Sequence, residues 1–171
     1  MIVEKAEEKD IPDIMKIIDQ AKQWFRDHGI DQWQNGYPVA SDIEEDIRNQ
    51  GSYVIRKDDR IIGTCFIKQI VEPTYAVIED GHWLNDKPYI VIHRTAVDSS
   101  CKGKGYASLY VEKSEELARK EGIHNLRADT HADNHSMQRL LEKNGFVRCG
   151  VIHIRDGSLR TAYQKVLLQD L

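Results

Sequence analysis

The sequence predicts an α/β fold in which a mixed β-sheet is flanked by helices. Segments with apolar residues at helical spacing alternate along the chain with β-rich apolar runs, and glycines or short polar turns separate most of them. The length of 171 residues suits one ordinary domain. We find no internal repeat, low-complexity tract or flexible linker, so we expect a single domain over residues 1–171.

The amino-terminal part of the chain is predicted to form a strand, two helices and a hairpin. Asp10 is suited to cap the first helix and Gly29 to end it, while Ser41 and Glu44 have the spacing of a capping box at the start of the second. The predicted segments are, in order, a strand at 2–6, a helix at 10–29, a helix from 41, and strands at 52–56 and 60–70.

The carboxy-terminal part is predicted to add four strands and two helices. Residues 72–88 form a long connection with room for one helical turn, and the apolar run 89–97 is suited to a central strand. A helix from Ala107 is stopped by Gly122, and Asn134 opens a last helix. The remaining strands are predicted at 126–130, 146–154 and 160–168, so the full order is β-α-α-β-β-β-α-β-α-β-β.

The composition excludes several classes of protein. Hydrophobic residues make up 40% and charged residues 30% of the chain, which is typical of a globular protein, and the net charge of −4 argues against a general nucleic-acid binder. No membrane-length apolar run and no secretory signal are present, so we expect a cytoplasmic protein without a membrane partner. The three widely spaced cysteines suggest reduced thiols rather than disulfides or a zinc site.

The loop at residues 102–107 is the strongest chemical signal. A predicted strand leads into two glycines, Gly103 and Gly105, and a helix follows. Unpaired amides at a helix start, with Lys102 and Lys104 beside them, favour a diphosphate group. A simple turn remains the alternative. A P-loop pattern is absent, and Ser108 stands where a dinucleotide fingerprint needs a third glycine, so a nucleotide-phosphate binder is the weaker hypothesis.

Two blocks resemble the GNAT superfamily of acyl-CoA-dependent N-acyltransferases. Residues 95–107 resemble its motif A, whose core is Arg/Gln-x-x-Gly-x-Gly/Ala and which here reads Lys102-x-x-Gly105-x-Ala107. The lysine keeps the positive charge and loses the planar fork of arginine. Residues 134–146 resemble the motif B helix with its closing Gly-Phe, and the order of elements is similar to the family fold over essentially the whole chain.

The resemblance implies a GNAT-type, mostly antiparallel sheet with a V-shaped splay between strands 4 and 5, and acetyl-CoA as co-substrate. The pantetheine arm of the cofactor would lie in that splay and pair with the backbone of strand 4. The implied cofactor-binding residues are Thr95, Ala96 and Val97 for the pantetheine backbone contacts, Lys102, Gly103, Lys104, Gly105, Tyr106 and Ala107 for the pyrophosphate, and Asn134 for the pantetheine region.

The implied chemistry is direct attack of a neutral amine on the thioester, which needs a base or water relay. His93, four residues before Val97, is the first candidate, because some arylalkylamine acetyltransferases of the superfamily carry a histidine at the matching position. A packing role for His93 is the alternative. Glu79 is a second candidate for the base. The alternative for Glu79 is a solvated carboxylate on the surface. The family's usual acid is a motif B tyrosine, and Leu141 occupies that position here.

Trp33, Tyr37 and Trp83 lie in irregular segments, where they are suited to line a substrate pocket or to pack. The histidines and aspartates at 129–135 straddle a predicted loop, so we expect no metal site. The leading hypothesis is an N-acetyltransferase for an amine of a small molecule or peptide. A non-catalytic acyl-CoA sensor is the alternative from another class. Homodimerisation is a family tendency, and no nucleic-acid partner is expected.

Overall fold

The computed structural model describes residues 1–168, and its elements follow the predicted order. The strands are β1 (Ile2–Lys5), β2 (Ser52–Lys57), β3 (Arg60–Gln69), β4 (Ile90–Val97), β5 (Asn125–Thr130), β6 (Val147–His153) and β7 (Leu159–Val166). The helices are α1 (Ile11–Asp27), α2 (Ala40–Arg48), α3 (Ser108–Glu121) and α4 (His135–Lys143). Short 3-10 turns lie at Glu8–Asp10, Pro73–Tyr75 and Ser99–Cys101.

The strands form a seven-stranded sheet in the order β1-β2-β3-β4-β5-β7-β6. The pairs β1–β2, β2–β3, β5–β7 and β6–β7 are antiparallel. Strands β4 and β5 are parallel, with Ile90 to Ile92 opposite Leu126 to Ala128. Beyond this register β4 continues to Val97 and β5 to Thr130. The mixed, mostly antiparallel α/β fold predicted from the sequence is confirmed.

Contacts divide the chain into two compact units. The first consists of residues 1–68 and 93–110, and the second of residues 69–92 together with the chain from 111 onward. Strand β4 passes from the second unit into the first at His93. The single-domain assignment stays a prediction.

Helix α1 supplies the core of the first unit through one apolar stripe, as its sequence spacing predicts. Ile14, Ile17 and Ile18 are buried and pack with Ile43 of α2 and Val54 of β2. Burying large aliphatic side chains in this way contributes about 1.5–3 kcal/mol each.

Helix α2 begins earlier than the sequence pattern suggests. The Asp42 carboxylate accepts a hydrogen bond of 2.7 Å from the amide of Val39, and the helix starts at Ala40. The predicted capping box of Ser41 and Glu44 is therefore wrong, because Asp42 reaches back to an amide that precedes Ser41.

The second unit is organised around β5, which pairs with β7 over its full length. Helix α4 is capped by Asn134, whose side-chain oxygen accepts from the Met137 amide at 3.2 Å. Gly145, at φ +86°, ends the helix, and the Phe146 amide donates to the Leu141 carbonyl at 3.0 Å. Both helix ends confirm the sequence prediction.

The three cysteines, Cys65, Cys101 and Cys149, are buried and unbridged. Over residues 1–168, no helix combines the length and apolar character that a membrane span requires.

Candidate active site

The loop between β4 and α3 is a tight, glycine-dependent turn. Asp98 accepts from the Ser100 amide at 3.0 Å and so fixes the 3-10 turn that precedes the loop. Gly103 has φ +76° and Gly105 has φ +80°, values that favour glycine. A Cβ built on either residue meets no protein atom within 4 Å. The glycines therefore serve the backbone conformation and leave the space above the loop open.

The amides of this loop are available to an anion. Its carbonyls are used, because Gly105, Tyr106 and Ala107 accept from the first amides of α3 at 3.0–3.2 Å. Within residues 1–168, the amides of residues 103–107 donate no hydrogen bond to the protein. Consecutive unpaired amides at the start of a helix form a binding site for phosphate or carboxylate groups.

Basic side chains accompany these amides. The Lys102 ammonium lies 4.3 Å from the centre of the Trp24 ring, and partial burial lowers the pKa of Lys102. Lys57 donates to the Tyr106 hydroxyl at 3.2 Å. The predicted pyrophosphate-binding residues 102–107 thus form one continuous loop with positive charge on it.

Arg94 adopts a left-handed conformation, φ +52°, inside strand β4. Such a conformation costs a non-glycine residue about 1–3 kcal/mol and persists only where the surroundings hold it. The guanidinium donates to both oxygens of Asp46, to the Tyr37 hydroxyl at 2.8 Å, and lies 4.8 Å from the centre of the Phe66 ring. Strand β4 is therefore anchored to α2 at the residue between His93 and Thr95.

The thiol of Cys65 anchors the same part of β4 from the neighbouring strand. Its Sγ lies 3.3 Å from the Thr95 Oγ1 and donates to the His93 carbonyl at 3.6 Å. Burial raises the pKa of Cys65 to about 12, so the thiol stays protonated. The His93 ring is nearly parallel to that of Phe66, with centroids 6.3 Å apart.

Glu79, in the second unit, is paired with a histidine that the sequence did not single out. Its Oε2 lies 3.2 Å from the Nε2 of His153. The backbone of Glu79 forms an antiparallel bridge with Val151. This bridge requires glycine at 150, because a Cβ there would lie 2.4 Å from the Glu79 carbonyl oxygen.

A pocket of about 570 Å³ lies within the second unit, and Trp83 lines it together with Tyr75, Tyr89 and Arg127. The Trp83 indole donates to the Tyr75 carbonyl at 2.9 Å, and the Tyr75 hydroxyl donates to Asp129 at 2.6 Å. Burial and the nearby Asp129 raise the pKa of Tyr75 well above its ordinary value.

The other predicted pocket residues lie in the first unit. Trp33 packs edge-on against Phe25, with ring centroids 5.7 Å apart, at the border of the core cluster. The Tyr37 hydroxyl accepts a hydrogen bond from the Arg94 guanidinium. Leu141 is fully buried, which makes this position part of the core. In the described part of the chain, no cluster of three or more His, Cys, Asp or Glu residues could hold a metal ion.

Several site features lay outside sequence reasoning. Asp46 and Arg94, and likewise Glu79 and His153, are far apart in the chain, so spacing could not pair them. The positive φ of Arg94 also has no signature in the sequence, so the strained position in β4 could not be predicted.

Residues 18–146 match the sequence model of the acetyltransferase (GNAT) family. Among solved structures, a GNAT-family acetyltransferase from Streptococcus agalactiae shares 32% identity, covering 98% of this chain and 96% of that one, with a TM-score of 0.88. A ribosomal-protein-alanine N-acetyltransferase from Brucella melitensis shares 18% identity over 98% of this chain and 100% of that one, with a TM-score of 0.71. The curated proteins yield no match to the chain.

A structure of the NatC complex bound to Gag peptide and CoA is also similar, at 16% identity, 98% coverage of each chain and a TM-score of 0.68. The two more distant structures support the fold alone. The family model and the Streptococcus agalactiae protein also support membership of the family. Because the model spans most of the sequence and the 32% identity extends over nearly all of it, this chain belongs to the GNAT family of acetyltransferases and is an acyltransferase.

Proposed function

We propose that this chain transfers the acetyl group of acetyl-CoA to an amine of a small molecule or peptide by direct attack in a ternary complex. The observation that carries the proposal is the run of unpaired amides at residues 103–107, between β4 and α3. This arrangement is suited to the diphosphate of CoA. Members of the GNAT family use acetyl-CoA.

The residues present fit the cofactor. The loop offers amides, the charges of Lys102 and Lys104, and open space over both glycines. We assign the pantetheine contacts to the backbone of Thr95, Ala96 and Val97 and to Asn134. When bound, acetyl-CoA supplies a thioester whose carbonyl carbon is open to attack by an amine. The task left to the protein is to position the amine and remove its proton.

His93 is our first candidate for the proton acceptor. Its backbone carbonyl is held by Cys65, and the next residue is fixed by Asp46, so the strand on which it stands is rigidly placed. Preorganised placement of this kind is what a general base requires.

The pair of Glu79 and His153 is the second candidate. A carboxylate hydrogen-bonded to an imidazole orients the ring. The pair is about half exposed, with 59% of the Glu79 side chain and 46% of the His153 side chain accessible. That exposure favours a surface ion pair, and His93 stays the first candidate.

Two similar proteins support the acceptor class that we propose. The names of two similar proteins specify a ribosomal-protein alanine and a peptide as their ligands. A peptide or small-molecule amine is accordingly the acceptor we propose. Family membership favours catalysis over a sensor role.

The test uses the purified chain in two steps. Isothermal titration measures affinity for CoA, and release of CoA thiol from acetyl-CoA is then followed with a panel of amines and peptides. We expect saturable CoA binding and amine-dependent thiol release. Absence of any affinity for CoA and acetyl-CoA would remove the proposal. Binding without amine-dependent release by any panel member would replace it with the sensor function.

A further inference from the structure

Arg127 is a buried cation without an anionic partner. The residue is 4% exposed, and its guanidinium carbon lies 4.1 Å from the centre of the Trp83 ring and 4.2 Å from that of Tyr89. Its Nη2 donates to the Asn85 carbonyl at 2.7 Å, whereas its Nε has no hydrogen-bond partner in the structure. Among residues 1–168, no carboxylate lies within ion-pair distance of it.

Two other arginines that are largely shielded from solvent have such partners, whereas Arg160, which is 7% exposed, donates to the Leu159 carbonyl. Arg94 is paired with Asp46, and Arg56 with Glu4 and Asp10. A buried charge without a counter-ion is costly, and here desolvation lowers the pKa of Arg127. Contacts with the two aromatic rings offset part of this cost.

A partly buried polar network lies beside this arginine and its pocket. Asn85 donates to Asn125, Gln164 donates to the same Asn125 oxygen, and the Leu84 amide donates to Gln164, all at 2.8–3.0 Å. These bonds tie the connection at 72–88 to β5 and β7. The site therefore does not need to be assembled when a ligand arrives.

The lining specifies the kind of ligand. Tyr75, Trp83 and Tyr89 provide aromatic walls, and Arg127 provides the positive charge. Glu72 and Asp86 also line the pocket, and their carboxylates disfavour a multiply charged anion such as a phosphate ester. A ligand with an apolar body and a single negative charge suits the aromatic walls and Arg127, and it limits repulsion from the two carboxylates.

We propose that this pocket binds an organic monocarboxylate with an apolar or aromatic body, and that Arg127 pairs with the carboxylate. The site lies within the second unit. It shares no residue with the CoA-binding loop and goes beyond the proposed acetyl transfer.

Hydrocinnamate and its uncharged amide are the matched probes, because they share one apolar body and differ in charge. Binding to the full chain without CoA is measured by proton–nitrogen correlation spectra, with the Trp83 indole signal identified through Trp83→Phe. We expect hydrocinnamate to shift the Trp83 indole signal and to bind at least about tenfold more tightly than its amide.

Arg127→Met should abolish the preference for the acid, and Arg119→Met, at an exposed arginine on α3, should retain it. Equal affinity for acid and amide, no binding of either, or shifts confined to other parts of the protein would overturn the proposal. If Arg127→Met does not fold, the acid and amide comparison on the native chain gives the decision alone. Because CoA is absent, failure here leaves the acetyltransferase proposal untouched.

Discussion

Arg94 and Asp46 form a two-point ion pair, with Nε to Oδ2 at 2.7 Å and Nη2 to Oδ1 at 2.6 Å. Only 17% of the Arg94 side chain and 9% of the Asp46 side chain are exposed. Planar two-point pairing is the strongest geometry open to an arginine and a carboxylate. Here it fixes a strained residue in β4 between His93 and Thr95.

Asp46→Ala should lower the free energy of unfolding by about 3 kcal/mol, because it leaves a buried guanidinium without its counter-ion. Urea denaturation measures the loss. Glu44→Ala on the same helix is the control, since its pair with Arg48 is exposed and should be worth less than about 0.5 kcal/mol. Equal effects of the two substitutions would contradict the anchoring role of Asp46.

Gly105→Ala should weaken CoA binding by about tenfold or more, because the added Cβ would enter the open space that the phosphates must approach. Gly122→Ala is the matched control. Gly122 has φ +69° and no protein atom near a built Cβ, so both substitutions carry a similar backbone strain of about 1 kcal/mol. Titration calorimetry with CoA compares them. An equal CoA affinity of the two variants would argue against a phosphate site at the loop.

His93→Gln should reduce kcat/KM by about 100-fold or more and remove the acidic limb of its pH profile. The reason is that glutamine cannot accept a proton at neutral pH. Steady-state rates between about pH 5 and pH 9, a range that brackets the titration of a histidine base, provide the measurement. Glu79→Gln and His153→Gln are measured alongside. Should His153→Gln lose the limb while His93→Gln keeps it, the base is the Glu79 and His153 pair.

Asp98 should make stability depend on acidity. Hydrogen bonds from Ser100, with smaller contributions from Gln20 and Arg60, lower the pKa of Asp98 below its ordinary value. The folded state therefore binds a proton less readily than the unfolded chain. The stabilisation is present above the unfolded pKa, about 3.9, and is lost as pH falls through the folded pKa.

Asp98→Asn should accordingly cost about 1 kcal/mol at neutral pH, and the difference from the native chain should vanish in acid. Thermal unfolding across the acidic range measures it. Asp19→Asn, at an exposed residue of α1, should leave the pH dependence unchanged. A difference that persists at the lowest pH would show that the side chain acts through shape rather than charge.

The sequence predicted the fold well because its signals were local. Apolar spacing marked the helices, and glycines at 29, 122 and 145 ended them with positive φ, as expected. The start of α2 was placed wrongly, because the N-cap is Val39, whose apolar side chain gives no capping signal, and Asp42 instead reaches back from the first turn.

The site was less accessible from sequence. The loop at 102–107 could be predicted as a phosphate site because its glycines and lysines are contiguous, and that assignment stays a prediction. Arg127 could not be, because a charged residue in a strand normally suggests an exposed position. Its burial depends on Trp83, from the connection at 72–88, and on Tyr89, directly before β4, and both are distant from Arg127 in the chain.

The concealed cysteines determine what a chromogenic disulfide reagent will report. Since every sulfhydryl of the protein lies inside it, the intact enzyme should give almost no colour, and the signal should count liberated coenzyme alone. Any slow extra colour would then record spontaneous opening of the native state, so one cuvette would follow turnover and unfolding together.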